Sequence, residues 1–520
     1  MLAKFWLIHC VCNLGKMMKC KRLQHPPDSL CSWFVSICAS VCQLLDLGFS
    51  VSFGVLLPEL MGEFREGRAR TVWVGSLSLG LTFFLGPLGS ALCETIGCRF
   101  TSIAGCLICA LSLLLTSYSS SLLWMFVTYS CLYGLGSALL FSSYFLITAK
   151  NFRRWQSLAV GIVSVGGSIG VLVMGPLLQL LIDVFGWRGT YKMISVPFFV
   201  MACVCGAIFG DPIQDPSKNS QQNCAEKPDD LKTLSVEGLS TMDIGIVNLG
   251  HVEDLENTAI RKDEENNNRE TKRNFSEYHY KKDMKGKKFS GRKRKLRTLL
   301  DISVFKVPTY TIAMVSLVLM NFGHFIPQMH LVKYCLELDI SADSASRLFI
   351  FLGLSSCVAR VAAGRLCDVQ WINTIFIYQF GALLVGFVTV VLPVIQSYER
   401  MAIFAVIYGL GDGIFVTTMN SLLMFTVDER RRAAALGLGN TLLSVGVAAG
   451  PPLAGFLADV FDCYTWSFIM AGILVQIAAL LPLVVFCLGE KRGFDLKNNI
   501  SSDEQLATYR HTVFGPPRAR

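Results

Sequence analysis

The stretch RRWQSLAVGIVSVGGSIGVLVMGP, residues 153–176, decides how the whole chain is read. After Arg154 no charged residue appears until Asp183. That is enough for a helix to cross a bilayer, which takes about 20 apolar residues. Glycine stands at 161, 166, 167 and 170, and glycine lets membrane helices approach backbone to backbone. A second stretch repeats the plan. RRRAAALG (430–437) matches RRWQSLAVG (153–161) in the spacing from Arg154 to Gly161 and from Arg430 to Gly437. Asp183-Val184-Phe185 closes the first stretch and Asp459-Val460-Phe461 the second, and each contains a Gly-Pro pair, Gly175-Pro176 and Gly450-Pro451. Two matches in one register and a third offset by a single residue point to an internal duplication, the plan of pseudosymmetric membrane proteins that hold a ligand between two halves.

The composition agrees. Of 520 residues, 52% are hydrophobic and 16% charged, against about 25% charged in soluble domains. Mean hydropathy is +0.49. These values describe a polytopic membrane protein. The 19 cysteines mostly lie singly in apolar runs. Cys106 and Cys109 form a CxxC with no second pair and no nearby histidine, so they read as small apolar packing, and no metal site is expected. No phosphate loop, nucleophile triad or other cofactor site is visible. GLGDG (409–413) lacks the strand–turn–helix context of a nucleotide fingerprint. We expect neither an enzyme nor a cofactor.

Working outward gives twelve apolar spans, at 33–57, 72–94, 101–118, 122–148, 157–182, 193–210, 309–331, 346–367, 372–395, 401–426, 433–458 and 464–488. The predicted fold class is an all-α membrane protein, with twelve transmembrane helices in two pseudosymmetric six-helix bundles. The domains expected are an N-terminal tail (1–26), a first bundle (27–210), a polar and basic loop read as disordered (211–305), a second bundle (306–490) and a C-terminal tail (491–520). Lys and Arg concentrate in the 4–5 loop, the 10–11 loop and the run 281–297, which places both termini in the cytoplasm. The first external loop, GEFREGRAR, departs from that rule with three arginines. The run 281–297 reads as topology control or contact with anionic lipid rather than as a nucleic-acid patch. Asn274 and Asn499 fit the glycosylation pattern but fall on the cytoplasmic side of this topology.

Most charges within the spans, Asp46, Lys150, Asp183, Asp368 and Asp459, are read as lying near span ends. Two are deep. Arg360 stands in SSCVARVAAGRLCD (355–368), sharing a helix face with Gly364 and Asp368, and Asp412 stands midway through span 10. A charge at the bilayer centre costs about 2.5–3.5 kcal/mol on insertion scales, so both should face the bundle interior, a cavity or each other. Three readings remain open. The two form a structural ion pair; or Arg360 binds a carboxylate by its bidentate fork while Asp412 orients it; or Asp412 also receives an ammonium, so that the pair takes a zwitterion. In MNFGHFIPQMHL (320–331), Pro327 predicts a local break, and His324 and His330 fall on different faces.

NFRRWQSLAVGIVSVGGSIG, FIPQMHL, ARVAAGRLCD and GPPLAGFLAD together make the chain resemble the monocarboxylate transporter family of the major facilitator superfamily, over residues 26–490. The resemblance implies the major facilitator fold and alternating access. It implies Arg360, Asp412 and His330 as substrate-binding residues. It assigns Arg153, Arg154, Gly161, Gly364, Asp368, Gly450 and Pro451 to gating or structural motifs. The family's opening Pro-Asp-Gly-Gly-Trp-Gly-Trp run is reduced here to Pro27, Asp28 and Trp33. Where the proton–lactate branch carries a span-1 lysine and a span-8 aspartate, this chain has Val51 and Ser356. The span-10 aspartate resembles instead the branches for aromatic amino acids, thyroid hormones and creatine. The resemblance therefore implies a plasma-membrane carrier of a carboxylate-bearing, amino-acid-like solute, facilitated rather than strictly proton-coupled. The alternatives are a proton–monocarboxylate symporter, or a non-transporting receptor or scaffold with the same fold. Some family members also need a single-span glycoprotein chaperone.

Overall fold

The computed structural model describes residues 28–152, 156–209, 302–368, 374–425, 427 and 432–487. The tails and nearly all of the central loop lie outside these residues, as do the basic run 281–297 and both glycosylation patterns. The described residues contain helices and no strand.

Among the described residues the helices make twelve spans, with the bent pair of span 2 counted once and the trace broken at Gly186 counted twice. Span 1 is Leu30–Val51 continued by Phe53–Phe64, span 2 is Arg68–Phe84 plus Gly86–Thr95, and span 3 is Cys98–Thr116. Span 4 begins at Leu122, passes through a π-helix at Phe126–Tyr133 and ends with Gly134–Asn151. Gln156–Ile208 is one helical trace broken at Gly186 (φ 66°, ψ 171°), which separates spans 5 and 6. Only glycine adopts that backbone readily. Spans 7 to 12 are Pro308–Glu337, Ala342–Asp368, Thr374–Val391, Tyr398–Phe425, Arg432–Phe461 and Thr465–Cys487.

Two local expectations change, and span 2 adds a bend. Span 2 bends by 45° between Phe84 and Gly86, where Pro87 removes a backbone donor. Pro327 lies inside a continuous helix rather than at a break, since neighbouring helices compensate the lost hydrogen bond. Asp46 stands near the middle of span 1, not near its end; it is midway along the apolar run 33–57 as well as along the helix from Leu30 to Phe64.

The spans are apolar outside and mixed inside. On span 1, Phe34, Ile37 and Val41 are exposed at helical spacing, while Val35, Ala39, Cys42 and Asp46 are buried. In lipid this inverts the soluble pattern, because polar groups need partners from other helices. The halves meet along spans 2 and 11, 5 and 8, and 1 and 7. Small residues make these seams. A Cβ on Gly455 of span 11 would stand 2.9 Å from Ala69 of span 2, and one on Gly353 of span 8 2.6 Å from Leu172 of span 5; at the seam of spans 11 and 7 inside the second half, one on Gly450 would strike the Phe322 carbonyl at 1.9 Å. By contrast, a Cβ on Gly161 or Gly364 would meet nothing within 4 Å. The motif glycines thus divide into seam glycines and glycines in open space.

Candidate functional site

Asp412 sits on span 10 between Gly411 and Gly413. Both glycines are seam positions, since a Cβ on Gly413 would strike the Ser356 carbonyl at 2.4 Å and one on Gly411 the Gly381 carbonyl at 2.9 Å. Span 10 therefore presses against span 8, which brings Asp412 and Arg360 together. The Arg360 guanidinium lies 3.5 Å from an Asp412 oxygen, and both residues are buried. Ser356 Oγ donates to Asp412 Oδ2 at 2.6 Å, and the Arg360 Nε–H donates to Ser356 Oγ at 3.3 Å.

Two further contacts complete the cluster. His324 Nε2 lies 2.8 Å from Asp412 Oδ1. Its ring stacks on Tyr408, whose hydroxyl donates to the His324 carbonyl. Arg360 Nη1 also reaches into the other half and donates to the Ser164 carbonyl of span 5 at 2.7 Å. Beside it, the Ser168 and Ser356 hydroxyls lie 2.9 Å apart. The charged pair is thus built in the second half and hydrogen-bonded to the first. A buried charge needs this density of partners, because an unpaired one is strongly destabilising.

The cluster faces a central cavity of about 80 Å³. Arg360, Asp412, His324 and Ser356 line it from the second half, and Gln43, Ser164 and Ser168 from the first. Phe83, Phe141 and Phe145 form an aromatic wall. Val51 and Ser356, where the proton–lactate branch carries ionisable groups, also line the cavity.

Of the three expected binding residues, the structure brings Arg360 and Asp412 together and does not bring His330. The His330 ring is fully buried outside the cavity lining, with Nε2 2.9 Å from the Pro451 carbonyl and Nδ1 3.2 Å from Tyr464 Oη. The histidine at the cavity is His324, six residues earlier. Among the motif positions, Arg153 and Arg154 lie outside the described residues, as does the Asp368 side chain at the end of span 8. Gly450 and Pro451 pack against span 7.

One end of the bundle is latched. Arg68, at the start of span 2, pairs with Glu337 of span 7 at 2.8 Å and with Asp459 of span 11 at 3.3 Å. Asp459 also accepts from the backbone N–H groups of Arg68 and Ala69, capping span 2 across the halves. Single exposed pairs contribute about 0.2–1 kcal/mol. Arg68→Ala removes both side-chain pairs at once while keeping the backbone cap, so we expect several-fold faster amide hydrogen exchange at 66–73 and 455–462, measured by mass spectrometry. Unchanged exchange there would show that the latch is held by packing and the backbone cap alone.

The comparisons agree with this architecture. The family model described as Major Facilitator Superfamily matches residues 38–446 and 381–517. The chain is 27% identical to monocarboxylate transporter 3 of Gallus gallus over 89% of this chain and 79% of the relative. It is 28% identical to monocarboxylate transporter 13 of Rattus norvegicus, over 86% and 87%. Monocarboxylate transporter 10 of Danio rerio is 22% identical over 89% and 79%. A solved bacterial homologue of the human lysosomal transporter Spinster, in an inward-facing, unoccupied conformation, superposes with a TM-score of 0.59. It shares 11% identity and covers 90% of this chain and 99% of its own. With twelve helical spans, two halves meeting at a charged cavity and these relatives, the chain is a membrane transporter of the Major Facilitator Superfamily and belongs to its monocarboxylate transporter family.

Proposed function

We propose that the chain carries a carboxylate-bearing, amino-acid-like solute across the plasma membrane by alternating access. The observation that carries this reading is the Arg360–Asp412 pair at the cavity, one cation and one anion set for a zwitterion. Arg360 takes the carboxylate with its fork. Asp412, released from part of its pairing, takes the ammonium, and His324 holds Asp412 in place. The aromatic wall of Phe83, Phe141 and Phe145 favours a solute with an apolar body. Transport is facilitated in this reading, because Val51 and Ser356 cannot carry a proton beside Arg360.

The basic loops put both termini in the cytoplasm, so the Arg68 latch closes the outer end and this conformation is open inward. The open space at Gly161 and Gly364 supports that assignment. Arg360 ties the site to the movement. Its bond to the Ser164 carbonyl crosses the halves, so a carboxylate that recruits the guanidinium loosens one contact between them.

The test is uptake by liposomes holding the purified chain, offered labelled lactate, tryptophan, an iodothyronine and creatine, with and without an inward proton gradient. Uptake of an amino-acid-like solute without accumulation by the gradient is expected. Gradient-driven lactate uptake would establish the proton symporter instead, and no flux of any solute would favour the receptor or scaffold reading.

A further inference from the structure

Asp46 is an ionisable group that the solute site leaves unused. It lies near the middle of span 1 and is 1% exposed. Its partners are neutral. The Tyr133 hydroxyl contacts its Oδ1 at 3.3 Å and its main-chain carbonyl at 3.1 Å. Ser137 hydrogen-bonds the carboxyl, and Ser50 donates to the same carbonyl at 2.8 Å. Asp412, equally buried, has an arginine and a histidine. Among the described residues, Asp46 has neither.

No neighbouring element supplies a positive charge. The titratable groups within electrostatic reach are Cys42 on span 1, Cys109 on span 3 and Tyr129, Tyr133 and Tyr144 on span 4. Span 5 faces this stretch with Gly166, Gly167 and Gly170. Span 6 places Cys205 beside Cys42 and Tyr191 edge-on to Phe49. The ionisable residues of span 2, Arg68, Arg70, Cys93 and Glu94, stand at its two ends. On span 7, His324 is bound to Asp412. An anion left here would be buried without a countercharge, a state proteins escape by binding a proton or a cation.

One observation favours a proton over a metal cation, and a second marks the segment. Tyr133 donates towards the Asp46 carboxyl and Ser50 to the main-chain carbonyl beside it, so these hydroxyls turn hydrogens towards the site and not the lone pairs that a metal cation needs. Tyr133 also ends the π-helix Phe126–Tyr133 and stacks on Tyr129 at 5.2 Å. Such segments are rare and recur at functional sites. Around them, the buried hydroxyls of Tyr129, Tyr144 and Tyr191 have no hydrogen-bond partner, nor has Gln43 Oε1, which belongs to a cavity-lining residue one turn from Asp46.

We propose that Asp46 is a proton-binding site in the first half, occupied in this conformation and reached from the cavity past Gln43. The bound proton forms an O–H on the carboxyl and makes the site neutral. Raising the pH withdraws it, leaves an anion that favours water, and shifts the population away from this packed state. Transport then slows as pH rises, while the solute gradient alone sets its direction.

The site does not depend on the solute assignment, and it is tested without solute. Infrared spectra of the full chain in lipid nanodiscs at neutral pH should show a protonated-carboxyl band that Asp46→Asn removes. Tyr133→Phe, which keeps the acid but loses one donor, should shift that band, and replacing sodium with choline should leave it unchanged. Should Asp46→Asn fail to fold, the Tyr133→Phe shift still decides. Finding only ionised carboxylate, or a band that appears only when sodium is withdrawn, overturns the proposal.

Discussion

Arg360→Ala is expected to abolish uptake and to destabilise the fold together. The side chain is buried, pairs with Asp412 and donates to the Ser164 carbonyl and Ser356. Its removal leaves Asp412 buried with His324 and Ser356 alone. Breaking one side of a buried ion pair costs about 3–5 kcal/mol. The solute carboxylate loses a charge-assisted hydrogen bond of about 1.5–3 kcal/mol, which is roughly tenfold to a hundredfold in affinity. Arg360→Lys should restore part of the stability and little of the uptake, because an ammonium cannot replace a bidentate fork and also reach Ser164. Thermal unfolding in detergent and liposome uptake read the two effects separately. An Arg360→Ala protein that transports normally would remove Arg360 from the solute site.

The second large effect separates a lock from a binding site. Replacing both members, Arg360→Met with Asp412→Leu, removes two charges that depend on each other. Buried pairs replaced by apolar residues of similar volume are often neutral or stabilising by about 1–4 kcal/mol. The double variant should therefore unfold near the wild-type temperature, well above Arg360→Ala, while uptake stays absent. If the pair were only a structural lock, the stable double variant would still transport.

The architecture was legible because membrane physics writes it plainly. Apolar runs marked the spans, and the Arg154–Gly161 and Arg430–Gly437 spacing marked the duplication. Arg360 and Asp412 were legible for the same reason: lipid does not accept them, so they had to turn inward. His324 is named in the sequence beside His330 but is not among the three expected binding residues. Two histidines on one apolar helix differ in face and in depth, and the face that meets span 10 is fixed by contacts such as Tyr408 with the His324 carbonyl, between residues 84 apart in sequence. The signal was there in depth, since His324 sits midway along Pro308–Glu337 as Asp412 does along Tyr398–Phe425. His330 drew attention through the family resemblance, yet its ring is taken up by Pro451 and Tyr464. Asp46 lies midway along the apolar run 33–57, so its depth is legible in the sequence, and reading it as a span-end charge is an error of the reading and not of the signal. Contacts across the halves, such as Arg68 with Asp459 and Arg360 with Ser164, join residues far apart in sequence, and no periodicity reveals them.

The most direct test of the account compares tryptophan with tryptamine, which has the ring and the ammonium but no carboxylate. Binding of each is measured by calorimetry to the wild type and to the Arg360→Met, Asp412→Leu protein in nanodiscs. The account predicts that the wild type binds tryptophan at least tenfold more tightly than tryptamine, and that the double variant loses this preference. An equal preference in both proteins would show that the carboxylate is read elsewhere and that Arg360 is not its anchor.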